Sequence, residues 1–246
     1  EDLGYQYVHG PDIAPDGSAP ERDDLRQVFL IGRLKSALIR LNPEVPSKTI
    51  DAAVLQLINP NIPGLISSNR QFHIWMTKGL PISYMEENQE IGIRLKIIDF
   101  DNSDKNDWLV VNQLAISGPK NNRRPDVVVY INGLPIAVIE LKNPVDENAT
   151  IDDAYNQLQT YKDEIEGLFR TNGLLITSDG LLARVGSLTA NAERFMAWRT
   201  VDGDTIAPKG VPVLETLING VFDKSRLLSL LRGFVVFENT GSGIIK

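Results

Sequence analysis

The stretch that most constrains this chain is residues 124 to 142, RPDVVVYINGLPIAVIELK. Val127 to Ile131 form one β-rich apolar run, and Pro135 to Leu141 form a second. Asn132-Gly133 lies between them, and that dipeptide between two such runs predicts a tight hairpin turn. Asp126 opens the first strand. Glu140 and Lys142 close the second, two residues apart, so on a regular strand they share a face. Charged groups at the end of an otherwise apolar hairpin need a reason, because burying them unpaired is costly. A bound metal ion supplies one. Two carboxylates can hold Mg²⁺, and an ammonium beside it can orient a water or steady a phosphate.

Register puts a condition on this reading. A two-residue turn with regular pairing sets Asp126 opposite Ile139 and Glu140 opposite Pro125. Directly opposed residues point to one face, so the two carboxylates would then point to opposite faces. One shared metal therefore requires a turn of another length, strands that splay before Asp126, or irregular pairing. Irregular pairing is expected around residues 124 to 127, where Pro125 cannot donate to the ladder and where a bulge would re-aim Asp126. The carboxylates should then lie within about 4 to 6 Å of one another, the span that ligands of one Mg²⁺ allow.

The rest of the chain supplies a frame. At 246 residues there is room for one large domain or two small ones, and 42% hydrophobic with 23% charged residues is ordinary globular composition. The absence of cysteine excludes disulfides and thiolate zinc sites, and fits the cytoplasm. No uninterrupted apolar run approaches about 18 residues, so no membrane span is expected. The net charge of −7 argues against a free-standing nucleic-acid binder. A chain of this charge that acts on nucleic acid would need it delivered by a partner or another domain, and its basic residues locally concentrated. Lys120, Arg123 and Arg124 are such a cluster, as candidate DNA contacts or as a solvated loop.

Apolar residues at three-to-four spacing predict a helix over 22–41, through Leu30, Leu34, Ala37, Leu38 and Leu41. Ser47 is placed to cap a second helix. A third runs from about Leu65 to Lys78 and stops at Gly79; His73 and Trp75 within it read as packing residues. Alternation predicts strands over 90–100 and 108–116. The acidic spacing of DNSDKND between them fails as a calcium loop, because Asp104 stands where glycine is required, and it reads as a solvated turn. Asn143-Pro144 breaks the hairpin's second strand. A helix follows over 151–166, with Tyr161 central to its apolar face and Gln157 one turn earlier on its edge. Further strands are expected over 174–177 and 181–185, then a loop through VDGDTIAPKGVPV. Ser225 can cap a short helix to Gly233. The closing TGSGIIK does not satisfy the P-loop pattern.

Pro125-Asp126 and Glu140-Leu141-Lys142, with Gln157 and Tyr161 as Q-x-x-x-Y in the next helix, resemble the PD-(D/E)xK signature of RecB-like nucleases. In particular they resemble the N-terminal nuclease region of type I restriction enzyme R (motor) subunits. The segments ERDDLRQVFLIGRLKSALIRLNP, SSNRQFHIWMTKGL and GLLITSDGLLARVGSLTANAERFMAW carry the likeness over most of the chain.

The resemblance implies an α/β, restriction-endonuclease-like fold: a mixed central sheet flanked by helices, with a helical insertion at about 22–79. It implies an endonuclease domain over 1–200, and a linker region over 201–246 leading to an ATP-driven motor outside this chain. It implies Mg²⁺-dependent hydrolysis of double-stranded DNA. Asp126, Glu140 and the Leu141 carbonyl would hold the metal, His9 would join them, and Lys142 would act beside them. ATP would serve only the motor, and modification (M) and specificity (S) subunits would complete the assembly. Two other readings stand: a repair nuclease or junction resolvase of the same superfamily, and a catalytically silent docking module.

Overall fold

A computed structural model describes residues 2–143, 150–240 and 243–246. Pro144 and Gly241-Ser242, parts of the expected strand break and Gly-rich end, lie outside the described residues.

The chain begins with β1 (Gln6–His9) and then makes a long excursion. α1 (Ile31–Leu41), α2 (Ser47–Ile58) and α3 (Leu65–Lys78) come first. The hairpin β2 (Leu80–Glu86) and β3 (Gln89–Leu95) follows. β4 (Trp108–Asn112) then returns to pair in parallel with β1. The short ribbon β5 (Ile116–Ser117) and β6 (Asn122–Arg123) leads into β7 (Val127–Ile131) and β8 (Leu134–Leu141). Beyond them lie α4 (Ile151–Glu164), β9 (Leu174–Ser178), β10 (Ala183–Gly186), α5 (Val213–Val221), α6 (Lys224–Gly233) and the hairpin β11 (Glu238–Thr240) and β12 (Gly243–Ile245). The central sheet is six-stranded and mixed, in the order β1-β4-β7-β8-β9-β10. This is the restriction-endonuclease-like α/β architecture.

Strand alternation divides the core. Val129, Ile131, Ala137 and Ile139 face α1, α2, α3, α5 and α6. Val111, Val128, Tyr130, Val138 and Leu175 face Leu158 and Tyr161 of α4. β7 and β8 are thus covered on both faces, which is why their sequence is apolar up to Glu140. The segment after residue 200 joins this core through Leu217, Val221, Leu227, Leu228 and Leu231.

Several local expectations shift. The first helix starts at Ile31, not residue 22. Residues 22 to 30 are instead irregular, held by the buried Arg22 guanidinium, which donates to the carbonyls of Leu25, Gln27 and Ala115. Ser47 is the first helical residue and does not cap; Pro46 precedes the helix. The strand expected over 90–100 ends at Leu95 and pairs with β2, outside the central sheet. The strand expected over 108–116 stops at Asn112, because Gln113 adopts a φ of 53°. Asp223, not Ser225, caps α6 by accepting from the Arg226 amide. α5 forms over residues where no element was expected. The DNSDKND turn is not wholly solvated, since Asn106 is buried and its Oδ1 accepts from the Asn132 side chain.

The hairpin turn has two residues, as expected. Asn132 and Gly133 both take positive φ, 53° and 77°, the geometry that matches strand twist. Glycine is required at 133 for a second reason: a Cβ there would lie 2.4 Å from the Leu30 carbonyl oxygen.

Candidate active site

The register condition is met by a bulge, though not where it was expected. Ile131 pairs with Leu134 and Tyr130 with Pro135, as a two-residue turn dictates. The ladder then slips, so that Val129 pairs with Ala137, Val128 with Val138 and Val127 with Ile139. Ile136 is the extra residue. One step further along, Asp126 falls level with Glu140, and both point to the α4 face. The correction from residues 124–127 to Ile136 has a physical cause. The carbonyls of Pro135 and Ile136 both turn away from β7 and find partners in the segment that leads into β9. Thr171 Oγ1 donates to the Pro135 carbonyl at 2.7 Å, and the Gly173 amide donates to that of Ile136 at 2.7 Å.

The Asp126 carboxylate is held from two sides. Oδ2 accepts from the Leu141 main-chain N–H at 2.9 Å, and Oδ1 accepts from Gln113 Nε2 at 3.0 Å. Glu140 is 2% exposed, and its Oε2 has no hydrogen-bond partner among the described residues. Its Oε1 lies 3.4 Å from Lys142 Nζ. Lys142 Nζ also donates to Gln157 Oε1, and Gln157 Nε2 donates to the Tyr161 hydroxyl oxygen. Burial raises the Glu140 carboxyl from 4.5 to about 7; the nearby Asp126 charge adds to this, and Lys142 opposes it. Burial likewise pushes the Tyr161 phenol well above its usual range.

This donor set suits a hard divalent cation. Two carboxylates converge, and one buried carboxylate oxygen lacks a partner. The Lys142 amide donates to the Ser178 carbonyl across the β8–β9 edge. In a trans peptide the Leu141 carbonyl must therefore point the other way, to the side of β8 on which Asp126 lies. No three His, Cys, Asp or Glu side chains cluster as a metal site among the described residues. A cation here would take two carboxylates and a main-chain oxygen, with water or phosphate completing its shell, as Mg²⁺ commonly does.

Residues 1–194 match the family model described as type I restriction enzyme R protein N terminus. The chain belongs to this family. It is 35% identical over 246 residues to the type I restriction enzyme HindI endonuclease subunit of Haemophilus influenzae, covering 99% of this chain and 23% of that protein. It is 31% identical over 257 residues to the putative type I restriction enzyme MjaIXP endonuclease subunit of Methanocaldococcus jannaschii, covering 97% of this chain and 24% of that protein. A type I restriction enzyme endonuclease subunit of Staphylococcus aureus strain COL matches over 101 residues at 34% identity, covering 41% of this chain and 10% of that protein. The chain thus spans about a quarter of the length of the two relatives that it matches end to end.

In this R-protein N-terminal region, Asp126, Glu140, Lys142, Gln157 and Tyr161 come together, and other candidates stand apart. His9 is exposed at the end of β1, in register with Asn112 and through it with Val127. That register sets it on the opposite sheet face from Asp126 and Glu140. Arg123 is committed to an ion pair with Glu164. Lys120 and Arg124 are exposed, and Lys120 lies close enough to help depress the Glu164 carboxyl. Gln113 was not singled out by sequence, yet its side chain holds Asp126 and its main-chain N–H donates to the Asp126 carbonyl at 2.8 Å. Nothing local marks it; it acts only because β4 pairs with β7.

Proposed function

We propose that this region is the endonuclease of a type I restriction enzyme R subunit, and that it hydrolyses phosphodiesters of double-stranded DNA with Mg²⁺. The observation that carries this reading is the bulge-set pair Asp126 and Glu140 on one face, with Lys142 against Glu140. Asp126, Glu140 and the Leu141 carbonyl would hold the cation. When bound, Mg²⁺ lowers the pKa of a coordinated water and offsets phosphate charge. Lys142 would orient the attacking water or stabilise charge developing on the phosphate. Gln157 fixes the Lys142 ammonium, and Tyr161 fixes Gln157, so the lysine is positioned before substrate arrives. The Glu140 oxygen with no partner is the one a cation would satisfy.

A net charge of −7 does not draw DNA to the domain. We therefore assign delivery of DNA to an ATP-driven motor elsewhere in the full-length subunit, and choice of site to M and S subunits, in the cytoplasm. The test uses the full-length subunit in its assembly. Asp126→Ala, Glu140→Ala and Lys142→Ala should each abolish cleavage of supercoiled plasmid while ATP turnover persists. Wild-type cleavage by any one of them overturns the assignment.

A further inference from the structure

The cross-sheet row that holds the two carboxylates continues beyond them. Glu140 pairs with Thr177 on β9, and Thr177 pairs with Arg184 on β10. Residues level with one another across a sheet share a face. Arg184 therefore stands on the same face as Asp126 and Glu140, two strands from Glu140, or roughly 9–10 Å between backbones. Its strand neighbours Ala183 and Val185 pack into the opposite core, which confirms the facing.

Arg184 is half-buried, and among the described residues its guanidinium makes no ion pair or side-chain hydrogen bond. Some arginines in the fold are committed: Arg22 to three carbonyls, Arg33 to Glu21 and Asp107, Arg123 to Glu164, and Arg226 to the Gly220 carbonyl; Arg170, whose buried Nε also lacks a partner among the described residues, lies outside the strand row that carries Glu140. A guanidinium without a partner on this face can take an anion, and its fork fits the paired oxygens of a phosphate. The need for a cation here is also evident. Asp126 and Glu140 oppose phosphate approach, Lys142 is turned onto Glu140 and Gln157, and Arg123 is spent on Glu164.

We propose that Arg184 binds a DNA backbone phosphate next to the scissile one and so sets the strand's position over Asp126 and Glu140. It is a positioning residue, and it rests on the nuclease reading above. Phosphate contacts of this kind fix register without reading sequence, which suits a domain whose recognition sequence is chosen elsewhere.

The test compares wild type, Arg184→Ala and Arg184→Lys in the full-length subunit within its assembly, with Asp126→Ala as reference. Arg184→Ala should slow cleavage roughly 10- to 100-fold, the loss expected of one charge-assisted hydrogen-bonded contact. ATP turnover should be unchanged. In the non-cleaving Asp126→Ala background, adding Arg184→Ala should lower the slope of log affinity for duplex DNA against log salt by about one. Arg184→Lys should restore that slope but not the full cleavage rate, because lysine keeps the charge and loses the fork. If Arg184→Ala unfolds early in a thermal melt, Arg184→Gln replaces it and is read in the same way. Wild-type cleavage and an unchanged salt slope, with Asp126→Ala inactive, overturn the role of Arg184 alone. Cleavage by Asp126→Ala overturns the nuclease reading instead.

Discussion

The Leu141 main-chain N–H donates to the Asp126 carboxylate across 2.9 Å. This one bond ties the two halves of the motif together. It joins the residue just before β7 to the last residue of β8, at the end of the hairpin remote from the turn. It also sets Asp126 beside the buried Glu140, so each carboxylate is part of the other's electrostatic surroundings.

Asp126→Asn follows from that relationship. An amide oxygen can still accept from Leu141, so the fold should persist, with an unfolding temperature near that of wild type. The charge that helps hold Glu140 protonated would be gone. Glu140 should then titrate at lower pH than in wild type, as read by carboxyl NMR, while cleavage is lost. An unmoved Glu140 titration contradicts the pairing.

Thr171→Val tests the bulge. It removes the hydroxyl that donates to the Pro135 carbonyl and leaves a buried acceptor unsatisfied. Destabilisation of about 1–3 kcal/mol is expected in urea unfolding. Cleavage measured below the unfolding transition should also fall, because the slip at Ile136 is what brings Asp126 level with Glu140. A variant as stable and as active as wild type would show that the bulge does not depend on Thr171.

Glu140 gives the metal-free protein a pH dependence of definite sign. Its folded carboxyl titrates at about 7 against an ordinary 4.5. Between those values the folded state keeps a proton that the unfolded state has released, so stability falls as pH rises. Glu140→Gln should flatten that slope. At pH above 7, Mg²⁺ should raise the wild-type unfolding temperature by binding the folded state, and should do little for Asp126→Ala. A Mg²⁺ shift of equal size in both proteins would place the cation elsewhere.

His73 contributes the opposite slope. Burial, helped by the positive charge of Lys246, lowers its pKa from 6.5 to about 4. Its ring packs against Phe237 with centroids 5.5 Å apart. The unfolded state takes up a proton first as pH falls, so stability that is full above 6.5 is lost toward 4. This window overlaps that of Glu140, so the effect must be read as a difference between wild type and His73→Gln in urea melts. His73→Gln should lose less stability than wild type between pH 6.5 and 4. Parallel profiles would show that His73 is solvated.

Much of the scaffold was legible in the residues themselves. Asn132-Gly133 specified its turn because only residues that tolerate positive φ fit there. Leu65 to Lys78 specified its helix, and Gly79 its end, through spacing and a local left-handed stop. The acidic, lysine and Q-x-x-x-Y positions were visible as residue types. Their convergence was not. A regular hairpin would have turned Asp126 away from Glu140. At the slip, the carbonyls of Pro135 and Ile136 take hydrogen bonds from Thr171 and Gly173, which lie 35 or more residues further along the chain and approach only when β9 docks on β8. Gln113 gains its role from the pairing of β4 with β7, and Arg184 from a row that crosses β8, β9 and β10. His9 shows the same limit in reverse: the resemblance grouped it with Asp126 and Glu140, and strand register sets it on the other face of the sheet. Turns and helices follow from local sterics and periodicity, which a sequence carries in every window. Which side chains share a site follows from hydrogen bonds between distant strands, and those exist only in the folded sheet.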